Sequence, residues 1–347
     1  MLFIIGKNAQ ILYVYSFVSF EIRERNDISM DNFEKVLEYM PTSISQLFAP
    51  KKSDLTCVAP KKSDLTCVAP KKSDLTCAEE IRLRTNKPLA VKTEKGIELF
   101  EHIVTQQEVL QTFERICESS VYSYRKQICD GYITIRGGNR VGIVGSAVID
   151  NGQVVNINYI SSLNFRIASQ RIGCSNRIIE DIINVKKNEV YNTLIVSPPG
   201  CGKTTLLRDI VRNISNGIKV IGFEGKNVGI ADERGEIAAM YKGIPQNDVG
   251  IRTDVIDNMP KSMAMRILVR SMAPNVIACD EIGSSEDIYA IEYAMCSGVK
   301  GIFTAHGKDI EEINRNPELS RLLNRHIFER IILLNPKKKG ETECFYL

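Results

Sequence analysis

An α/β fold built around a buried parallel sheet is what this sequence predicts, and three observations predict it. Short apolar runs, Thr193-Leu-Ile-Val196, Val276-Ile-Ala-Cys279 and Gly301-Ile-Phe-Thr-Ala305, read as strands covered on both faces. The first run leads into Ser197-Pro-Pro-Gly-Cys-Gly-Lys-Thr-Thr205, after which Leu206, Leu207, Ile210, Val211 and Ile214 recur at helical spacing. The second run follows Pro274 and ends in Asp280-Glu281, a pair of acids where open α/β sheets bind their ligands.

The segment 197–205 has the chemistry of a phosphate-binding loop. A triphosphate needs many donors at close range, and the backbone N–H groups of a Gly-rich turn supply them with the positive end of the following helix. Gly200 and Gly202 let the backbone wrap phosphates without Cβ clashes. Lys203 is spaced to reach the β and γ oxygens, and the Thr204 hydroxyl to ligate Mg²⁺. The usual first Gly of the pattern is Ser197 here, a residue that also holds a turn. Ser197, Pro198, Pro199, Gly200, Cys201, Gly202, Lys203, Thr204 and Thr205 are thus the expected nucleotide contacts, with ATP and Mg²⁺ as the ligands. Asp280 is the second expected metal residue, holding Mg²⁺ through water, and Glu281 is the residue expected to orient or deprotonate the attacking water.

Other residues gather around the same chemistry. Gly229-Ile-Ala-Asp-Glu-Arg-Gly-Glu236 repeats the pattern of a strand followed by acids. Asp232, Glu233 and Glu236 suit either water polarisation and the outer shell of a metal, or a charged loop with a local Arg234 ion pair. His306 ends the third apolar run, where it can contact a γ-phosphate or serve as a packed or capping residue. Arg252, Arg266 and Arg270 lie between the two main motifs. In ring-shaped ATPases an Arg from the neighbouring subunit stabilises transition-state charge, and Arg252 and Arg270 are the first candidates.

Composition narrows the class. The chain has 347 residues, 44% hydrophobic and 25% charged, as an ordinary globular protein of two domains has. A net charge of +3 is too small to argue for nucleic acid as the ligand. The ten cysteines include no Cys-x-x-Cys pair, which reads as reduced, cytosolic usage.

Four segments follow along the chain. Residues 1–50 are an N-terminal tail and a helix. The apolar stretches near the start are interrupted by Lys7, Asn8 and Gln10 and fall short of a membrane span, and no small-residue cleavage site follows. Met30 is the better start, since Phe33, Val36, Leu37 and Met40 after it make one helical face. Residues 51–77 repeat Lys51-Lys-Ser-Asp-Leu-Thr-Cys-Val-Ala-Pro60 with perfect identity. Ten residues with a Pro each time cannot build a solenoid unit, so this is expected to be a solvated, mostly disordered insert. Residues 78–170 read as a smaller α+β domain. Glu80–Arg84 and Pro88–Lys92 are strands, and Thr105-Gln-Gln-Glu108 is a capping box that opens a helix with Val109, Leu110, Phe113, Ile116 and Cys117 inward. Gly131–Gly145 is a strand–turn–strand with Gly137-Gly138 as the turn. Arg136 and Arg140 flank that turn, either solvated or in contact with a nucleotide or nucleic acid. Residues 171–347 alternate strand and helix, as a RecA-like P-loop NTPase core does.

Taken in order, Glu80–Arg84, Gly137-Gly-Asn-Arg-Val-Gly142, Phe165-Arg-Ile-Ala168, Asp232-Glu-Arg-Gly-Glu236, Arg252-Thr-Asp254, Arg270-Ser-Met-Ala-Pro274, Asp280-Glu-Ile-Gly283 and Thr304-Ala-His-Gly307 resemble one family. It is the stage III sporulation AA family of cytoplasmic ATPases from endospore-forming bacteria, itself similar to the type II/IV secretion ATPases. The resemblance runs from about residue 78 to 334. It implies that Lys203 and Thr204 contact nucleotide and Mg²⁺, that Asp280 and Glu281 are a Walker B pair, and that His306 corresponds to the secretion-ATPase histidine. It implies a ring, a hexamer, on the mother-cell side of a membrane channel complex between mother cell and forespore, with membrane proteins of that complex as partners. One departure is Asn139, where the family carries His. Two alternatives stand beside an ATPase motor: a nucleic-acid motor on the same fold, disfavoured by the modest charge and the lack of an aromatic-basic pattern, and a non-catalytic nucleotide-binding scaffold, disfavoured by the intact Lys203, Asp280 and Glu281.

Overall fold

The computed structural model describes residues 32–48, 78–93, 95–168, 170–335 and 341–347. The tail before Met30 and the decapeptide repeat lie outside the described residues. The chain divides into two compact units between Gln170 and Arg171.

In the first unit six antiparallel strands form one sheet in the order β3-β2-β1-β6-β5-β4. The strands are β1 (Ala78–Arg84), β2 (Pro88–Thr93), β3 (Gly96–Ile103), β4 (Tyr132–Ile135), β5 (Asn139–Asp150) and β6 (Gln153–Arg166). The longest helix of this unit among the described residues, α1 (Gln106–Ile116), follows β3. The capping box is present: the Glu108 N–H donates to Thr105 Oγ1 at 3.2 Å, and the Thr105 N–H to Glu108 Oε2 at 2.8 Å. Such caps contribute about 1 kcal/mol. Val109, Phe113, Ile116 and Cys117 are buried as the spacing predicts, but Leu110 is 41% exposed. The helix packs on the sheet through one stripe, and that stripe needs only the i, i+4, i+7 positions. Residues 32–48 join this core. Phe33, Val36, Met40, Ile44 and Phe48 are buried with Ile81, Leu83, Val91 and Phe165, and Phe48 packs between the rings of Phe33 and Phe100.

The turn at Gly137-Gly138 is where the sequence places it, both glycines having positive φ (83° and 73°). Its surroundings explain Asn139. That side chain is fully buried, accepts the Ala168 N–H at 2.8 Å and donates to the Arg136 carbonyl at 2.9 Å. It ties the hairpin to the end of β6, which is a structural role. Arg140 stacks its guanidinium 3.9 Å over the Tyr132 ring. The long β5–β6 hairpin, turning at Asn151-Gly152, extends beyond the strand predicted to Gly145.

The second unit is an α/β core. Its seven-stranded sheet has the order β13-β10-β14-β15-β9-β16-β17. The central strands are β9 (Thr193–Ser197), β10 (Val228–Asp232), β13 (Thr253–Asp257), β14 (Val276–Cys279), β15 (Lys300–His306) and β16 (Arg330–Leu334), all parallel; β17 (Thr342–Tyr346) adds an antiparallel edge. Two small hairpins sit outside it, β7 (Ile183–Asn184) with β8 (Glu189–Val190), and β11 (Met240–Tyr241) with β12 (Ile244–Pro245). The strict alternation of strand and helix therefore breaks between β10 and β13, where a loop and a hairpin replace the helix.

Side-chain alternation along each strand fills both faces. Ile195, Ile230, Ala278 and Ile302 pack against Leu206, Leu207, Ile210, Val211 and Ile214 of α2 (Lys203–Asn216). Leu194, Ile277, Phe303 and Ala305 face the other way, onto Met265 and Leu268 of α3 (Lys261–Ser271), Ile288 and Ile291 of α4 (Ser285–Cys296), and Leu319 and Leu322 of α6 (Pro317–Asn324), which follows the short α5 (Ile310–Arg315).

Asp209 fixes the entry to this core. It is buried on α2 and accepts from the Gly173 N–H (3.0 Å), the Ser175 N–H (2.8 Å), the Ser175 hydroxyl (2.7 Å) and Arg212 (2.8 Å). Burial works to raise its pKa, but these donors together hold it below the ordinary 3.8. A carboxylate with a depressed folded-state pKa stabilises the fold above its ordinary value, and that stability is lost as pH falls through the depressed one. Asp209→Asn is expected to cost about 1–3 kcal/mol at neutral pH. The gap between variant and parent in urea unfolding should narrow in acid below 3.8; a gap independent of pH would show that the charge is not what anchors the loop.

Candidate functional site

Parallel pairing brings the C-terminal ends of the strands to one edge. His306 of β15 stands level with Ser197 of β9, and Cys279 of β14 level with Phe303 of β15. The phosphate-loop sequence, Asp280-Glu281, the loop after Asp232 and His306 therefore meet there. Gly200 and Gly202 have φ of 77° and 93°, the left-handed region that a side chain resists, and Gly202 caps α2.

Lys203 and Thr204 open α2 directly beneath that loop. Lys203 is buried, and its Nζ donates to the carbonyls of Ser197 (3.0 Å) and Pro198 (3.3 Å) and lies 3.1 Å from His306 Nδ1. Burial pulls its pKa below the ordinary lysine value, while Asp280, Glu281 and Cys201 pull the other way. His306 Nε2 is 3.0 Å from Glu281 Oε1, and Arg234 Nη1 is 2.8 Å from Glu281 Oε2. Lys203, His306, Glu281 and Arg234 thus form one hydrogen-bonded chain. Beside it, the hydroxyls of Thr204 and Thr304 both donate to the Asp280 carboxylate. Thr204 and Asp280 are adjacent hard oxygen donors, the set that suits Mg²⁺.

Glu281 occupies an unusual backbone position. Its φ is 53°, its N–H donates to Thr304 Oγ1 at 2.9 Å, and its carbonyl accepts from Lys261 Nζ at 2.7 Å. A small cleft opens here, lined by Asp232, Glu233, Arg234, Lys261, Asp280 and Glu281 among others.

The structure redistributes the secondary candidates. Asp232 is buried and does not face the cleft as a free acid. Its carboxylate accepts the N–H groups of Glu236 (2.8 Å), Ile237 (3.1 Å) and Ala238 (2.8 Å). Arg208 of α2 grips the same loop, donating to the carbonyls of Ile237 (2.7 Å) and Glu236 (2.6 Å). Burial raises the Asp232 pKa against those N–H groups and Arg208. Of the two readings the sequence leaves open for Asp232, the geometry favours neither a free acid nor an Arg234 partner but a loop anchor. Among the described residues Arg234 makes no local ion pair; it reaches the Glu281 side chain. Glu233 lies 3.6 Å from Lys261.

Arg252 and Arg270 are not brought to this edge. Arg252 precedes β13 and Arg270 lies in the last turn of α3 before β14, so both sit at the opposite edge of the sheet. Arg252 Nη1 donates to the Ser215 carbonyl near the end of α2 at 2.8 Å. Arg266 and Arg270 are exposed. Arg234 and Lys261, which touch the site, went unrecognised in the sequence. The one signal for Lys261 was its place directly after Pro260, at the first position of a helix, where a cation is unfavourable.

With this geometry, comparison with known proteins is informative. The family model described as Sporulation stage III, protein AA matches residues 65–346. Stage III sporulation protein AA of Bacillus subtilis (strain 168) is 38% identical over 264 residues, which cover 76% of this chain and 84% of that protein. The X-ray structure of the Legionella pneumophila ATPase DotB shares the fold with a TM-score of 0.50 at 17% identity, over 74% of this chain and 72% of DotB. The pilus retraction motor PilT, in a crystal structure with bound ADP, gives 0.50 and 17% over 76% of each chain. The second unit thus has the RecA-like fold of the secretion and pilus ATPases. Among the described residues, no helix is long and apolar enough to cross a membrane.

The anchoring role of Asp232 has a direct check. Asp232→Ala leaves three buried N–H groups without an acceptor and should cost about 1–3 kcal/mol, read as a lower midpoint in chemical unfolding. An unchanged midpoint would return Asp232 to the list of functional acids.

Proposed function

This chain belongs to the sporulation stage III, protein AA family, and on that premise we propose that it binds ATP with Mg²⁺ and hydrolyses it. The observation that carries the reading is the hydrogen-bonded chain Lys203–His306–Glu281, with Thr204 and Asp280 paired beside it. In this reading Lys203 exchanges its carbonyl partners for the β and γ oxygens. Glu281 accepts a proton from, or orients, the attacking water. His306 touches both residues and so links phosphate contact to the position of the base. Thr204 and Asp280 would hold Mg²⁺, which when bound neutralises charge on the phosphate oxygens.

The family and the fold support a wider role: a motor that forms a ring, a hexamer, and energises a channel complex between mother cell and forespore. Its partners would be the membrane proteins of that complex, and its place the cytoplasmic face. Arg252 and Arg270 lie across the sheet from their own phosphate loop, so they can serve catalysis only at a neighbouring subunit's site. Nucleic acid is not the substrate in this reading, and a non-catalytic scaffold is its main competitor.

Lys203→Ala is expected to abolish binding of a fluorescent ATP analogue. Glu281→Gln should keep that binding and lower kcat by at least about 100-fold. A Gln variant that turns over at the parental rate would remove Glu281 from the role of base, and a parent protein that binds but never turns over would favour the scaffold. Specific activity should also rise with protein concentration as subunits assemble; activity per subunit that stays flat down to a monomer by light scattering would exclude a trans arginine.

A further inference from the structure

Lys261 is the most improbable residue of the second unit on local grounds. It is the first residue of α3, after Pro260, where the helix dipole disfavours a cation and where no side chain caps the helix. Yet its side chain is only 17% exposed and reaches away from solvent. Its ammonium donates to the Glu281 carbonyl at 2.7 Å and lies 3.5 Å from the Asp280 carbonyl. It stands 3.6 Å from Glu233 and 3.8 Å from Asp287. Asp287 in turn accepts the N–H groups of Gly283 and Ser284, the turn that follows Glu281.

We propose that Lys261 is a positioning residue for hydrolysis, fixing the peptide of Glu281 so that its carboxylate meets His306 and the attacking water. The inference rests on the reading of Glu281 as the base. Glu281 is held at its N–H by Thr304 and at its carbonyl by Lys261, and it sits at φ 53°. A non-glycine residue in that region reverts readily to right-handed backbone unless its surroundings fix it. Reversion would swing the side chain away from His306. Lys261 also grips both ends of one turn, Glu281 at its start and Asp287 at the first turn of α4. Its ammonium also sits between the carboxylates of Glu233 and Asp287, at 3.6 and 3.8 Å.

The test uses the full chain, with ATP turnover and binding of a fluorescent ATP analogue measured on the same preparations. Lys261→Met is expected to lower kcat by about 100-fold, the scale of a misplaced catalytic group, with nucleotide Kd unchanged. The double variant Lys261→Met/Glu281→Gln should turn over no more slowly than Glu281→Gln alone, because Lys261 acts only through Glu281. Lys261→Arg should recover part of the lost kcat. If the Met variant does not fold, Lys261→Gln carries the same measurement, and a lowered kcat at unchanged Kd again supports the proposal. Parental kcat in the Met or Gln variant overturns it. So does a loss of kcat matched by an equal loss of affinity, or a double variant slower than Glu281→Gln by the full factor. If Glu281→Gln itself keeps the parental rate, the reading of the base fails first, and that result is separate from any of these.

Discussion

The parallel pairing of β9, β15, β14, β10 and β13 is the constraint on which the site depends. A parallel strand can expose its C-terminal end only beside the C-terminal ends of its neighbours. Five loops distant in sequence are thereby brought to one edge. The order matters as much as the direction. Because β15 lies between β9 and β14, Thr304 and His306 stand between the phosphate loop and Asp280-Glu281. Thr304 binds the Asp280 carboxylate and the Glu281 N–H, and His306 bridges Lys203 and Glu281. Strand β15 is a spacer whose last three residues tune the distance between two motifs that never touch in sequence.

The parts of this arrangement that were legible in the sequence are those with local causes. Buried parallel strands show as apolar runs, a Gly-rich turn before a helix has its own residue pattern, and the Thr105 capping box fixes a helix start. Lys203, Thr204, Asp280, Glu281 and His306 could be read because each follows such a run. Arg234 and Lys261 could not be, because their partners lie 47 and 20 residues away and are chosen by strand order. Asp232 was ambiguous for a related reason. An acid after a strand looks the same in sequence whether it faces a cleft or turns back to bind three N–H groups of its own loop. The missing helix between β10 and β13 follows from the same anchor, since a loop pinned by Asp232 and Arg208 takes the place of a crossover helix.

Asn139 shows how a departure from a family pattern can be absorbed. The position is fully buried, and its amide both donates and accepts across the hairpin. An amide satisfies one donor and one acceptor at once without a tautomer to choose. This chain uses the position to tie its hairpin to the end of β6.

Arg208 and Asp232 also give the segment from Glu236 to Ala238 a character that its irregular backbone conceals. Its N–H groups point at a buried carboxylate, and the carbonyls of Glu236 and Ile237 at a buried guanidinium that belongs to α2. A loop held through both its donors and its acceptors opens only with the elements that hold it. Its amide protons are sheltered from solvent for as long as α2 stays packed, and they exchange when that helix lifts. The loop that carries Arg234 toward Glu281 is thus tied, through Arg208, to the helix that begins at Lys203.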